Sequence, residues 1–342
     1  MLSKMKIAQI VILSLSAISF LAFQSCTEPR EDEPSQGSFE MLFTTPDGDE
    51  EILARAVEFI GSADKTIDIA AYGIDLTDFS DALIQAKNSG VLVRIAFEGD
   101  HLDAECYQEL IEAGIACIPD NDEGAITHDK YMIIDTTFVW TGSTNFTYNC
   151  FYLNNNNVII IESADVAKAY LEDFSQMFSG RFHNQKTGDG AERFPVADGS
   201  VEVWFTPQDS PEEMFITKIG NAEQSIEFCI FAYTLDEIAD AMISAKNRGV
   251  VVRGIFDEGC ISDSPTEYNR LHSAGIDVVA DPCPYAFHHK FMVIDAAGDD
   301  PIVIAGSGNF SYAGTNENDE NFVVVHSASV AQAYRNEFLR WW

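Results

Sequence analysis

His128, Lys130 and Asp135 stand in the order His-x-Lys-x4-Asp, and His288, Lys290 and Asp295 repeat that order later in the chain. Each triplet is followed by Gly-Ser-x-Asn, with Ser143 and Asn145 in the first copy and Ser307 and Asn309 in the second. Two imidazoles, two ammonium groups and two carboxamides in matched sets suit the grip and cleavage of a phosphodiester. A neutral imidazole can attack phosphorus and form a covalent phosphohistidine. A protonated one can give its proton to the leaving oxygen and then activate water. Lys130 and Lys290, two residues beyond each His, fall on the same face of a strand as that His and can clamp phosphoryl oxygens. Asn145 and Asn309 can donate where charge accumulates. Ser143 and Ser307 can help hold phosphate, although small residues beside Gly also suit a tight turn. Asp135 and Asp295 end apolar strands and are expected as buried groups that orient backbone or polar neighbours. His289 should point away from His288 on an extended strand, so it is left out of the site.

The elements that must position these groups are also duplicated. Ala86-Lys87-Asn88-Ser89-Gly90 recurs as Ala245-Lys246-Asn247-Arg248-Gly249, Val93-Arg94 as Val252-Arg253, and Ala113-Gly114-Ile115 as Ala274-Gly275-Ile276. In the first copy, periodicity predicts strands at 40–44, 66–72 and 91–97 and helices at 49–62, 76–89 and 106–113. A motif strand follows at 131–134, its partner at 138–141, a strand at 157–161 and a helix at 166–178. The alternation predicts an α/β fold of two tandem repeats, each a mixed β-sheet flanked by helices. The expected boundaries are 38–183 for the first domain, 184–200 for a linker of Gly and Pro composition, and 201–342 for the second. Phe146, Tyr148, Phe310 and Tyr312 follow the Gly-Ser-x-Asn turns; they are expected to pack those turns, near enough to line a pocket.

The paired motifs resemble those of the phospholipase D superfamily, in which two His-Lys-Asp motifs build one active site at a pseudo-twofold axis. The resemblance covers nearly all of the chain after its N-terminal segment. It implies that His128, Lys130, Asn145, His288, Lys290 and Asn309 form the site, with no metal or cofactor, and that one chain suffices to complete it. It also implies an acidic residue bonded to the second nitrogen of an imidazole. Glu320 fills that position after His288, whereas the aligned residue of the first copy is Asn156. A carboxylate fixes an imidazole's tautomer and raises its basicity. The expectation is therefore that Glu320 orients His288 as the nucleophile and that His128 acts as acid. The family's substrates range from phospholipids to nucleic acids. The readings are a phospholipase D acting on phospholipid head groups, an extracellular metal-independent nuclease, and an inactive phosphate-binding protein.

With 55 acidic and 20 basic side chains, the formal net charge is -35. Such a surface repels polyanions at long range and weighs against the nuclease. Lys4 and Lys6 precede an apolar run at 7–23 that ends in Gln24-Ser25-Cys26. That pattern predicts a signal peptide at 1–25, a lipoprotein-like acceptor at Cys26 and an acidic tether at 26–37. The body of the chain is then exported and held at a membrane by its lipid anchor, with no protein partner expected. Six further cysteines fit an oxidising compartment, and Cys106–Cys117 and Cys260–Cys283 are the expected bridges. The absence of any Cys-x-x-Cys weighs against a zinc ribbon.

Overall fold

The computed structural model describes residues 37–44, 51–121, 124–188, 190–262 and 265–342. The expected signal peptide, Cys26 and nearly all of the tether lie outside the described residues. No helix among the described residues is long and apolar enough to cross a membrane.

The first repeat runs β1 (Ser38–Phe43), α1 (Glu51–Gly61), β2 (Thr66–Ala71), α2 (Thr77–Asn88), β3 (Leu92–Phe97), α3 (Glu105–Glu112) and β4 (Ala116–Pro119). It continues through β5 (Lys130–Ile134), β6 (Phe138–Gly142), α4 (Tyr148–Tyr152), β7 (Asn157–Glu162) and α5 (Ala164–Phe178). The second begins with β8 (Glu192–Val196), β9 (Gly199–Thr206), α6 (Pro211–Asn221), β10 (Ser225–Ile230), α7 (Asp236–Arg248) and β11 (Val251–Phe256). Next come α8 (Glu258–Ser262), α9 (Tyr268–Ser273), β12 (Asp277–Ala280), β13 (Lys290–Ile294), β14 (Ile302–Gly306), α10 (Tyr312–Asn316), β15 (Glu320–His326) and α11 (Ala328–Trp341).

The strands form one 7-stranded and one 8-stranded sheet, ordered β1-β7-β6-β5-β2-β3-β4 and β12-β11-β10-β13-β14-β15-β9-β8. Both are mixed, as expected: β2, β3 and β4 run parallel, while β5, β6, β7 and β1 pair antiparallel. In β2 and β3, Ile67, Ile69, Val93 and Ile95 line one buried face, while Ala70 and Ala96 enter the core on the other, where Asp68 pairs with Arg94. Helices α1, α2 and α3 cover one face of the first sheet, and α6, α7 and α9 the matching face of the second. The remaining faces share one core with α5 and α11. Tyr170 of α5 packs edge-on against Tyr131 and Phe205, and Tyr334 of α11 against Phe291 and Phe43. Each of these helices thus binds both repeats, so burying their apolar faces locks the two sheets together.

Two expectations fail here. The segment at 184–200 is not irregular throughout. It contains β8, which pairs with β9 and extends the second sheet; Pro195 is tolerated there because β8 is an edge strand. Cys106, Cys117 and Cys283 are thiols rather than half-cystines, so neither predicted bridge is formed. Cys106 sits in the helical core of the first repeat, and packing rather than cross-linking accounts for its burial.

Candidate active site

Register carries both motifs to the same end of their sheets. Lys130 lies opposite Ala71, the last residue of β2, and Lys290 lies opposite Ile230, the last of β10. The Gly-Ser-x-Asn turns leave β6 and β14 at this end. There the Ser143 N–H donates to the Asn157 carbonyl at 2.9 Å, and the Ser307 N–H to that of Asn321 at 3.0 Å. A Cβ on Gly142 would stand 2.2 Å from the Asn157 oxygen, and one on Gly306 2.0 Å from that of Asn321. Only glycine lets these turns close so tightly.

The two repeats exchange backbone at the site. The Asp319 N–H donates to the Ile126 carbonyl at 3.0 Å, the His128 N–H to that of Asp319 at 2.9 Å, and the Asn155 N–H to that of Ala286 at 3.0 Å. The chain entering β15 therefore reaches the first motif, and the chain entering β7 reaches the second. Glu320 Oε1 stands 2.7 Å from His128 Nδ1, while Asn156 Oδ1 stands 2.9 Å from His288 Nδ1. This overturns the expected pairing of Glu320 with His288. A carboxylate can only accept, so His128 Nδ1 carries a proton and its Nε2 is free. The Asn156 amide nitrogen donates to the Cys150 and Asn154 carbonyls. Its oxygen therefore faces His288 Nδ1, which must donate too.

Both lysines are buried beneath the imidazoles. Lys130 Nζ donates to the His128 carbonyl at 2.5 Å; Lys290 Nζ lies 3.0 Å from His288 Nε2 and 3.1 Å from the His288 carbonyl. The Tyr72 ring lies 5.0 Å from His128 and under Lys130, and the Phe231 ring 4.9 Å from His288 and under Lys290. Burial pushes the His128 imidazole down to about 4; Glu320 pulls it up, and the two lysines add to the depression. Burial, with Lys290, Lys130 and His128, holds His288 well below the usual histidine range. Burial lowers Lys130 to about 8 against the pull of Glu320, and takes Lys290 well below its ordinary value with Lys130 assisting. Burial opposes ionisation of Glu320, but His128, Lys130 and Ser307 outweigh it and keep its pKa low. Four nitrogen bases crowd one carboxylate, so a bound phosphodiester anion would relieve their repulsion and favour their charged forms.

Known proteins resemble this chain over both repeats. A family model described as cardiolipin synthase, phospholipase D-like domain, matches residues 56–178 and 215–342. The chain is 32% identical over 149 residues to a mitochondrial cardiolipin hydrolase of Xenopus tropicalis, covering 44% of this chain and 68% of that protein. It is 34% identical over 148 residues to a phospholipase D of Rickettsia prowazekii, covering 42% and 68%. The chain belongs to the phospholipase D superfamily. In fold it also matches the phosphatidylserine synthase of Haemophilus influenzae, with TM-score 0.64, 11% identity, and 88% and 86% of the two chains covered. It is accordingly a phosphodiesterase.

Several residues stand elsewhere than the superfamily motif alone suggests. Asp135 and Asp295 follow the far ends of β5 and β13, roughly 16 Å of strand from the lysines. They are half-buried rather than buried. Asp135 accepts from the N–H groups of Asp64, Lys65 and Thr66 at 2.8, 2.7 and 2.8 Å. Asp295 does the same for Glu223, Gln224 and Ser225. They fix the turns before β2 and β10, and they take no part in the cluster of imidazoles and ammonium groups. The Ser143 hydroxyl donates to Asn156 at 3.0 Å, and the Ser307 hydroxyl bonds Glu320. Each serine thus holds the residue that orients an imidazole, where a direct phosphate contact was expected. Asn145 and Asn309 leave the strand ends beside the lysines, each with a buried, unpartnered side-chain oxygen. His289 faces away toward Glu337, at 3.3 Å.

Sequence reading missed Tyr72 and Phe231; their only signal is their matched place one residue past β2 and β10. It also missed the connection between the repeats. Lys186 pairs with Asp173 at 2.8 Å and Asp319 at 2.9 Å, and His183 with Asp319 at 3.0 Å and Asp120 at 3.4 Å. Two buried cations thereby anchor the residue next to Glu320.

Proposed function

We propose that this phosphodiesterase hydrolyses the head-group ester of phospholipids through a covalent phosphohistidine. His128 Nε2 attacks phosphorus, and the bond from phosphorus to the head-group oxygen breaks. That oxygen takes the proton of His288 Nε2 and leaves as the alcohol. His288 then accepts a proton from water; the water oxygen bonds phosphorus, the P–N bond breaks, and phosphatidate departs. Lys130 and Lys290 neutralise the non-bridging oxygens, with Asn145 and Asn309 donating beside them. The contact that carries this role order is Glu320 to His128. Attack leaves the phosphorylated imidazole positively charged, and only His128 has a carboxylate at Nδ1 to stabilise that charge. His288, held by a neutral amide, releases its proton more readily. Both half-sites come from one chain, so a monomer suffices in this reading. Export and lipid attachment at Cys26 belong to the same proposal, and they would keep the enzyme at its substrate.

The test is to incubate the purified chain with phosphatidylcholine vesicles and single-stranded DNA together in excess chelator. Choline release with intact DNA is expected. Cleavage of DNA alone would replace the lipid reading with the nuclease.

A further inference from the structure

Tyr148 and Tyr312 occupy the same place in the two repeats, each three residues beyond the asparagine of its Gly-Ser-x-Asn turn. They are 52% and 59% exposed. Their neighbours Phe146 and Phe310 are fully buried, Phe146 stacked on Phe79 and Phe310 packed against Phe215. The turns therefore bury one aromatic ring each and leave the other in solvent. Three residues of chain reach at most about 10 Å, so both exposed rings belong to the rim of the site. One exposed tyrosine is ordinary. A pair related by the repeat on either side of one catalytic mouth calls for a partner that meets both.

Charge selects that partner. Connecting segments at the site end of the sheets include 72–76, 98–104, 124–129, 143–156, 231–235, 257–262, 281–289 and 307–319. None of them contains a Lys or Arg. Asp75, Asp100, Asp103, Glu258 and Glu317 are exposed on them. The exposed Arg181, in the connection that brings His183 and Lys186 to Asp319, and the exposed Arg340, beside the Trp341 that packs on Phe287, also come to this end, but these carboxylates outnumber them. A nucleic-acid strand or an anionic bilayer would therefore meet net negative charge here. A zwitterionic bilayer presents ammonium groups at its outer surface. Those groups are attracted by carboxylates and by the faces of aromatic rings, and tyrosine is suited to the headgroup layer of a membrane.

We infer that Tyr148 and Tyr312 form a docking rim that seats the active-site mouth on a bilayer of ammonium-headed, zwitterionic phospholipid. The inference rests on the phospholipid reading above and names the surface on which that reaction takes place.

The full chain is nitrated with tetranitromethane, and modification of each tyrosine is read by peptide mass spectrometry. The vesicles are made of a phosphatidylcholine phosphonate whose head-group bond cannot be cut, or of phosphatidylglycerol. Phosphonate vesicles are expected to protect Tyr148 and Tyr312 together, and phosphatidylglycerol to protect them less. Attachment through the N-terminal segment alone would protect neither, and equal labelling with and without vesicles overturns the inference. Protection by a single-stranded oligonucleotide in place of vesicles also overturns it. In kinetics, the Tyr148→Ala/Tyr312→Ala variant should raise the apparent KM for phosphatidylcholine vesicles roughly tenfold. Its turnover of soluble bis(p-nitrophenyl) phosphate should stay unchanged, and Phe at both positions should restore the KM. An unchanged vesicle KM in the alanine variant rejects the rim. Footprinting needs no turnover, so failure of the docking rim is separable from failure of the phospholipase reading, which the head-group assay decides.

Discussion

Glu320, from the second repeat, holds Nδ1 of His128 in the first at 2.7 Å, and the matching position opposite His288 is the amide of Asn156. The half-sites share a backbone plan but differ in charge. Both lysines depress both imidazoles, but one imidazole can become cationic beside a carboxylate, whereas the other must do so beside a neutral amide.

That inequality separates the two histidines kinetically. His128→Asn should lower turnover of every substrate at least about 10⁴-fold, because the nucleophile is gone. His288→Asn should slow phospholipid cleavage by a hundredfold or more, the usual range for loss of an acid–base group. With bis(p-nitrophenyl) phosphate, whose leaving group needs no proton, it should release one equivalent in a burst and stall as the phosphoenzyme. Alkaline quench and peptide mapping should then find the adduct on His128. An adduct on His288 would reverse the roles.

The orienting residues should set the pH profile. Asn156→Asp places a carboxylate beside His288 and raises its pKa, so the basic limb of the kcat profile should move to higher pH. Glu320→Gln removes the group that pulls His128 upward. Its acid limb in kcat/KM should move to lower pH while kcat falls about 10²-fold or more. If neither limb moves, the two side chains only pack the site.

Asp135 belongs to the scaffold and not to the reaction. Asp135→Ala deprives three backbone N–H groups of their acceptor. It should cost about 1–3 kcal/mol in denaturant unfolding. At a temperature where the variant is folded, its kcat should lie within twofold of the parent. A thousandfold loss from the folded variant would return Asp135 to the chemistry.

Stability should fall in alkaline solution through His183. Burial opposes its charge, but Asp120 and Asp319 outweigh burial and raise it to about 9. A base whose folded pKa lies above its unfolded value stabilises fully below the unfolded value, near 6.5, and loses that contribution as pH rises through the folded one. His183→Gln should cost about 3 kcal/mol at pH 6 by leaving buried carboxylates short of a partner. The gap between the two urea midpoints should narrow by pH 9.5. A gap that does not change with pH would mean that His183 contributes by packing alone.

The sequence by itself determined the local periods and the duplication. Apolar-rich runs such as 91–97, interrupted by Arg94, mark strands by their length and β-branched content, and Gly90 and Gly249 close helices that the spacing of Ala82, Leu83 and Ala86 already marks. The two His-x-Lys spacings put each pair on one strand face, because a strand repeats every two residues. The second repeat could then be read from the first. Tertiary structure decided everything that depends on which segment crosses the pseudo-twofold axis. Glu320 follows His288 in the chain and looks like its partner, yet the backbone exchange of Asp319 with Ile126 and His128 delivers it to the other imidazole. Local spacing carries no information on that crossing. The same holds for His183, at the end of the expected first domain, and Lys186, which reads as linker; both emerge as buried counter-ions. It holds for the pKa values as well, since these follow from burial and the company of charges that only the assembled repeats provide.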